Sequence, residues 1–355
     1  MMQVKGASFL ERCLAQKIPF LGCMRPNSTQ VEWYTLGKMT FVQSQLAIKK
    51  GSEVFVVQPY DRAQNATHFS LTSITGAGID RLDDAQSESS ADEYVISVDQ
   101  SEAYDRMLQK AVSRINEGEL DKVVLSLRLA LANLSEVNLN IRNLFTPDAK
   151  DSFRYIFSLN EGVVWVGDTP ETLLTRQYNR IQTVALAGTR RRDDLKRDDF
   201  TSKEFEEQGF IVAELKQRLA SFVERVQLSD RQRVSAQNLV HLKTTLEGIL
   251  VEDFSDEELL AALHPTAAVC GFPREKALAL ISTLEHHDRE LYAGYMGFRS
   301  AAKSSYFVNL RCARIDQSAI DLFVGAGITA QSVSKKEIDE IQSKTATIMR
   351  LIAFK

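Results

Sequence analysis

DKVVLSLRLALA, residues 121–132, alternates almost without fault. Val123, Leu125, Leu127, Leu129 and Leu131 fall on one face; Lys122, Val124, Ser126, Arg128 and Ala130 fall on the other. A period of two marks a strand, because successive side chains point to opposite sides of the backbone. Outward from this stretch, FRYIFSLN (153–160) and VVWVGDT (163–169) are separated only by Glu161-Gly162 and predict a hairpin. RIQTVALAGT (180–189) predicts a strand ending at glycine. SYFVNLRCARI (305–315) and AIDLFVGAGITA (319–330) flank the turn Asp316-Gln317-Ser318 and predict a second hairpin. SEVFVVQPY (52–60) and HFSLTSITG (68–76) are further strand-like runs.

Helical spacing lies between and after these runs. Tyr104, Leu108, Val112 and Ile115 predict a helix over 101–116. Phe205, Ile211, Leu215, Leu219 and Phe222 predict one over 202–223, and Ile338, Ile341, Ile348 and Ile352 one over 335–352. A fourth is predicted over 273–284, with Pro273 at its start. Hairpins with interspersed helices indicate an α+β fold of antiparallel sheets, not a doubly wound parallel sheet. DRLDDAQSESSADE (80–93) has almost nothing to bury and is expected to be an exposed loop or linker.

The 355 residues give a soft prior of about two domains. Hydrophobic residues make up 44% and charged residues 25%, enough of each for a sizeable core under a solvated surface. The net charge is -4 with no basic half, which argues against nucleic acid as a partner. Cys13, Cys23, Cys270 and Cys312 form no CxxC pair and are expected as reduced thiols. No signal-peptide core stands near Met1, and no apolar run approaches the ~20 residues that cross a bilayer. A cytoplasmic protein without membrane contact is expected.

Several residues could carry chemistry, and each has a plainer reading. Lys122 is either a strand-edge lysine with its ammonium in water or a desolvated base. In GDTPETLLTR, Thr169 suits an N-cap, Pro170 a first helical position and Glu171 the first turn. A general acid there meets an objection, because a helix N-terminus favours the ionised carboxylate. Gly188 and Thr189 suit a turn or a close backbone approach to an anion. Glu204/Gln208 and Glu340/Lys344 are i,i+4 pairs of ordinary surface helices, although glutamates on separate helices also suit Mg2+. Gly325 and Gly327 do not form a nucleotide motif. Arg311, expected inside a strand, is a seat for a carboxylate clamp or a residue on a wet face. LHPTAAVCGFPREKAL (263–278) is too apolar for an ordinary loop and too punctuated for a core segment.

Taken in order, DKVVLS, GDTPETLL, LAGTR, LHPTAAVCGFP, DRELYAGYMGF, VNLRCARI, VGAGI and the spacing of Glu337, Glu340 and Lys344 resemble the chorismate-binding enzymes, and among them the isochorismate synthases. The resemblance runs from Lys122 to the C-terminus. It implies one chorismate-utilising unit over residues 1–355, overriding the two-domain prior, with a variable part at 1–100 and a catalytic core at 101–355. The implied fold is that of anthranilate synthase component I: two packed antiparallel β-sheets, helices outside, and the site in a cleft. Mg2+ would be held by Glu207 and Glu340, with Glu337 supporting through water, and Lys344 would lie near the substrate's ring carboxylate. Tyr292 and Arg311 would hold the enolpyruvyl carboxylate. Gly188, Thr189 and the Gly325-Ala326-Gly327 turn would close on the ligand, and the loop carrying His264 would form one wall.

Family members that add ammonia carry glutamine where Lys122 stands, so water is the implied nucleophile. Lys122 would activate it for attack at C2, and Glu171 would protonate the departing C4 hydroxyl. Ala187 stands where aminodeoxychorismate synthases often have lysine. Gln208, Ala267, Cys270 and Leu127 depart from the family pattern. The implied activity is isochorismate synthase, an isomerase serving menaquinone or siderophore biosynthesis, with no obligatory protein partner. Salicylate synthase and a non-catalytic chorismate-binding protein are the alternatives.

Overall fold

The computed structural model describes residues 8–74, 96–132, 137–139, 141–145, 151–160, 162–191, 199–236, 239–316 and 319–354. The acidic stretch 80–93 lies outside them. The strands are β1 (Phe20–Met24), β2 (Glu32–Met39), β3 (Val54–Gln58), β4 (Thr67–Ser73), β5 (Lys122–Ala132), β6 (Val137–Leu139), β7 (Phe153–Asn160), β8 (Val163–Thr169), β9 (Thr172–Gln177), β10 (Arg180–Arg191), β11 (Gln227–Leu228), β12 (Gln232–Ala236), β13 (Leu239–Ile249), β14 (Gly271–Phe272), β15 (Tyr295–Arg299), β16 (Lys303–Val308), β17 (Cys312–Ile315), β18 (Ala319–Thr329) and β19 (Ile352–Phe354). The helices are α1 (Ser8–Ala15), α2 (Phe41–Lys49), α3 (Val98–Asn116), α4 (Ile141–Leu144), α5 (Ser202–Leu219), α6 (Asp256–Leu263), α7 (Arg274–Leu284) and α8 (Ser334–Met349).

Every ladder among the described residues is antiparallel. One continuous ribbon runs β14, β5, β18, β17, β8, β7, β1, β2. It continues through β4, β3, β15, β16, β9, β10, β13 and β12. The ribbon doubles back, so its two halves face each other. Phe153 of β7 stacks on Phe307 of β16 with centroids 4.6 Å apart, and Phe55 of β3 meets Phe157 of β7 at 6.0 Å. These aromatic pairs pack the two antiparallel halves as the expected sandwich.

The apolar face of β5 explains the outer layer. Val123, Leu125 and Leu129 are wholly buried in a core that α3, α7 and α8 cover. Burying each such side chain contributes roughly 1.5–3 kcal/mol. On the other side, α5 packs on β10 and β13. The helix α3 begins at Val98 rather than Ser101, because Ser97 and Gln100 close a capping box. The helices α5 and α8 end before Val223 and Ile352, and Ile352 pairs in β19 with β6 instead. All four cysteines are free and buried. No helix among the described residues is long and apolar enough to cross a membrane.

Three sequence expectations change. No helix follows Thr169. Pro170 and Glu171 form a short extended link between β8 and β9, and the helix-start pattern is overridden by sheet pairing on both sides. The run 305–315 is two strands, broken at Asn309–Arg311, where Arg311 takes a left-handed φ of 48°. β10 does not end at Gly188 but continues to Arg191 through a bulge between Ala187 and Arg190.

Both links carry the chain from one half of the ribbon to the other. β8 pairs with β7 and β17, whereas β9 pairs with β10 and β16. The links lie side by side. The Val308 N–H donates to the Glu171 carbonyl at 2.9 Å, the Thr169 hydroxyl to the Val308 carbonyl at 2.5 Å, and the Asp168 N–H to the Arg311 carbonyl at 3.3 Å.

The short strand β14 pairs with the start of β5, setting Gly271 opposite Val123 and Phe272 opposite Lys122. Gly271 has φ +141°, and a Cβ there would run into the Lys122 carbonyl oxygen and lie 2.8 Å from Val123 Cα. Gly271→Ala is therefore expected to lose roughly 2–4 kcal/mol of stability. Chemical denaturation measures it, and an unchanged midpoint would contradict this close approach.

Candidate active site

Lys122 opens the second face of β5, which is buried from Lys122 to Ser126 and exposed at Arg128 and Ala130. Lys122 is 1% exposed, Val124 6% and Ser126 0%. The Lys122 Nζ lies 3.0 Å from Glu207 Oε1 on α5. Across the ladder, Gly327 of β18 leaves the room for this pair, because a Cβ there would stand 2.7 Å from Glu207 Oε1 and 2.9 Å from Lys122 Cε. Two residues along, the Gly325 carbonyl accepts from Lys344 Nζ at 2.8 Å. The same Nζ lies 2.8 Å from Glu340 Oε1, one turn earlier on α8. Each glutamate thus has a lysine counter-ion.

Glu171 comes from the first link and is 4% exposed. Burial pushes its carboxyl up to about 8, against the opposing pull of Lys122 and Arg311. The helix-dipole objection falls away with the helix: this carboxyl is desolvated and keeps its proton near neutral pH. Arg311 comes from the second link and is also buried. Its Nη2 lies 3.0 Å from Nε2 of His241 on β13. An arginine only donates, so His241 Nε2 is the acceptor. Burial first, then the Arg311 and Lys344 cations, hold the His241 imidazole well below its usual range, and it stays neutral. Tyr292 stacks on Phe323 with centroids 5.7 Å apart, and burial keeps its hydroxyl protonated.

Lys122, Glu171, Glu207, Tyr292, Arg311, Gly325, Gly327, Glu340 and Lys344 line one cleft of about 790 Å³ including its open mouth. Ala187 lines it too. His241 is the polar lining residue that sequence reasoning missed; its only signal was a histidine inside the strand-like run LVHLKTTLEG.

Four expected residues are not among those that line the cleft. His264 is 1% exposed and does not line the cleft. Its Nε2 bonds the Ala293 carbonyl at 2.8 Å, which makes it a buttress for the residue after Tyr292, and burial pushes its pKa down to about 4. Gly188 is buried at the β10 bulge, where a Cβ would meet the Glu204 carbonyl oxygen at 2.9 Å, so the lack of a side chain admits the approach of α5. Gly188 is not among the residues that line the cleft, and the side chain of Thr189, the next residue of β10, lies outside the described ones. Ala326 points into the core between the two glycines that do line the cleft. Glu337 is 1% exposed, one turn before Glu340, and does not reach the cleft wall. Among the described residues no group of three or more His, Cys, Asp or Glu side chains could hold a metal ion.

The loop 264–270 contributes Ala268 and Val269 to the wall. The Ala267 N–H donates to Glu214 Oε2 on α5 at 2.6 Å. The buried Arg289 donates to the Val269 and Val124 carbonyls, both at 2.8 Å, and so ties this wall to the strand that carries Lys122. Gln208 is wholly buried away from the cleft, bonded to Thr244 Oγ1 and to Arg231 Nε at 2.9 Å each. Leu127 packs against the core.

Comparison with known proteins agrees with this geometry. The chain is 31% identical over 257 residues to isochorismate synthase MenF of Haemophilus influenzae, covering 69% of this chain and 59% of that protein. It is 30% identical over 272 residues to the vibriobactin-specific isochorismate synthase of Vibrio cholerae, covering 72% and 68%. The match thus spans only about three fifths to two thirds of these relatives' own lengths. In fold it is similar to MenF, the menaquinone-specific isochorismate synthase from Escherichia coli, with a TM-score of 0.74 at 22% identity over 94% of this chain and 88% of that one. It is also similar to anthranilate synthase component I from Streptococcus pneumoniae, with a TM-score of 0.68 at 16% identity over 93% and 92%. The family described as chorismate binding enzyme matches residues 13–353, nearly the whole ribbon and every wall of the cleft, and the chain belongs to that family.

Proposed function

We propose that the chain is an isochorismate synthase, a cytoplasmic isomerase that converts chorismate to isochorismate by adding water at C2 and expelling the C4 hydroxyl. The observation that carries this reading is a buried lysine and a protonated carboxyl facing one cleft. Water is a poor nucleophile and hydroxide a poor leaving group, so the reaction needs a base and an acid together. Lys122 acts as the neutral amine: it takes the proton from water and so becomes the ammonium that pairs with Glu207, while Glu171 supplies a proton to the departing oxygen. Arg311 and Tyr292 bind the enolpyruvyl carboxylate, with neutral His241 orienting the guanidinium. The names of the relatives support menaquinone or siderophore biosynthesis as the setting.

The donor set fits Mg2+. Glu207 and Glu340 reach the same cleft from separate helices, and a hard cation that keeps its waters asks for one or two carboxylates, with substrate oxygens completing the shell. Bound there, Mg2+ would neutralise the ring carboxylate and hold it against the two glutamates.

Incubation with chorismate and Mg2+, followed by chromatography, is expected to yield isochorismate. Salicylate with pyruvate would point to salicylate synthase, and unchanged chorismate would sink the catalytic reading. A strong chelator is expected to abolish turnover, with Mg2+ restoring it. Glu207→Gln and Glu340→Gln should each cost roughly 100-fold or more in kcat/KM while the fold persists; full activity of either in metal-free buffer would refute the site.

Lys122→Met is expected to retain chorismate binding, seen by calorimetry, and to lose roughly 10²–10⁴-fold in turnover. The Glu171 carboxyl must be protonated to act, and its pKa is raised, so activity should be present below about 8 and fall as pH rises through it. Any residual activity of Glu171→Gln should lack that alkaline limb. A wild-type rate that stays level well above this range would show that Glu171 is not the acid.

A further inference from the structure

The two expected carboxylate grips, Tyr292 and Arg311, come from separate segments, and both segments are conformationally unusual. Glu290, Ala293 and Arg311 all take left-handed backbone, with φ of 50°, 58° and 48°. A residue with a Cβ holds that conformation only where its surroundings over-determine it. One residue ties the two segments to each other. Asn309 is 0% exposed and does not line the cleft. Its N–H donates to the Gly294 carbonyl and its own carbonyl accepts from the Ala293 N–H, both at 2.8 Å. Its Nδ2 donates to the Leu291 carbonyl at 3.0 Å, and its Oδ1 accepts from the Tyr155 hydroxyl on β7. Backbone and side chain together clamp the turn on both sides of Tyr292 to the link that carries Arg311.

We propose that Asn309 is a positioning residue that fixes the separation of Tyr292 and Arg311, and with it the grip on the substrate's carboxylate. The inference rests on the functional reading above. The chemistry asks for an amide: one atom must donate to a carbonyl while its neighbour accepts from a phenol. Aspartate could only accept, and alanine leaves the Leu291 carbonyl with the Gly294 N–H alone, at 3.1 Å, and takes the amide acceptor from the buried Tyr155 hydroxyl.

The test is steady-state kinetics on the wild type, Asn309→Ala and Tyr155→Phe, with Mg2+ affinity measured separately by calorimetry. A displaced grip weakens substrate binding more than chemistry. Asn309→Ala is expected to raise the KM for chorismate roughly tenfold, with kcat changed far less and Mg2+ affinity unchanged. Tyr155→Phe, which removes one hydroxyl, is expected to raise KM in the same direction by a smaller factor, and it decides the question alone if Asn309→Ala does not fold. Folded variants with lowered melting temperatures but wild-type KM would overturn the inference and leave Asn309 a packing residue. A wild type that does not turn chorismate over would overturn the functional reading, and this inference with it.

Discussion

The site depends on two places where the chain leaves one half of the sheet ribbon for the other. At Pro170–Glu171 and at Asn309–Arg311 the backbone abandons one ladder before it enters the next, and for a few residues its polar groups need other partners. The links supply them to each other: Val308 bonds both the Glu171 carbonyl and the Thr169 hydroxyl, and the Arg311 carbonyl takes the Asp168 N–H. That mutual satisfaction brings a carboxyl and a guanidinium, far apart in sequence, to one buried wall. Neither side chain would be placed so by a continuous strand, where residues alternate between the core and the opposite face.

Burial then decides what these groups can do. Glu171 has cations nearby, yet loss of hydration outweighs them and the carboxyl stays neutral. The carboxylates on α5 and α8 are less enclosed, and each is matched by a lysine. His241 is neutral for the same reason that Glu171 is: an uncharged ring is the cheaper state beside Arg311 in a dry wall. The deepest carboxyl of the cleft therefore keeps its proton, while the two less enclosed ones each face a lysine.

What the sequence revealed depended on how local each signal was. The alternation of 121–132 and the two hairpins were legible because strand period and turn lie within a few residues of each other. GDTPETLL was misread as a helix start because Thr, Pro and Glu at those offsets satisfy a local capping rule, while the pairing of β9 with β16 that overrides it involves residues far along the chain. Glu207 and Glu340 sit on separate helices, and no spacing links them; only the resemblance to a known family placed them together. The resemblance also named His264 and Gly188, and for these the structure supplies local roles that no sequence spacing foretold: one props up Ala293 and the other makes room for α5. His241 went unnoticed because a single histidine in an apolar alternation carries no pattern of its own.

The order of the ribbon also governs how the chain can reach this state. β3, near the N-terminus, takes its second partner from β15, most of the chain's length away, and the long strand β5 waits for β18. Synthesis at about 5–20 residues per second separates such partners by on the order of tens of seconds. During that interval the early hairpins keep open edges, and the apolar face of 121–132 lacks its covering α7 and α8. Contacts this distant make folding slow. Until α7 and α8 have emerged, that open face and the unpaired edges leave aggregation in competition with folding.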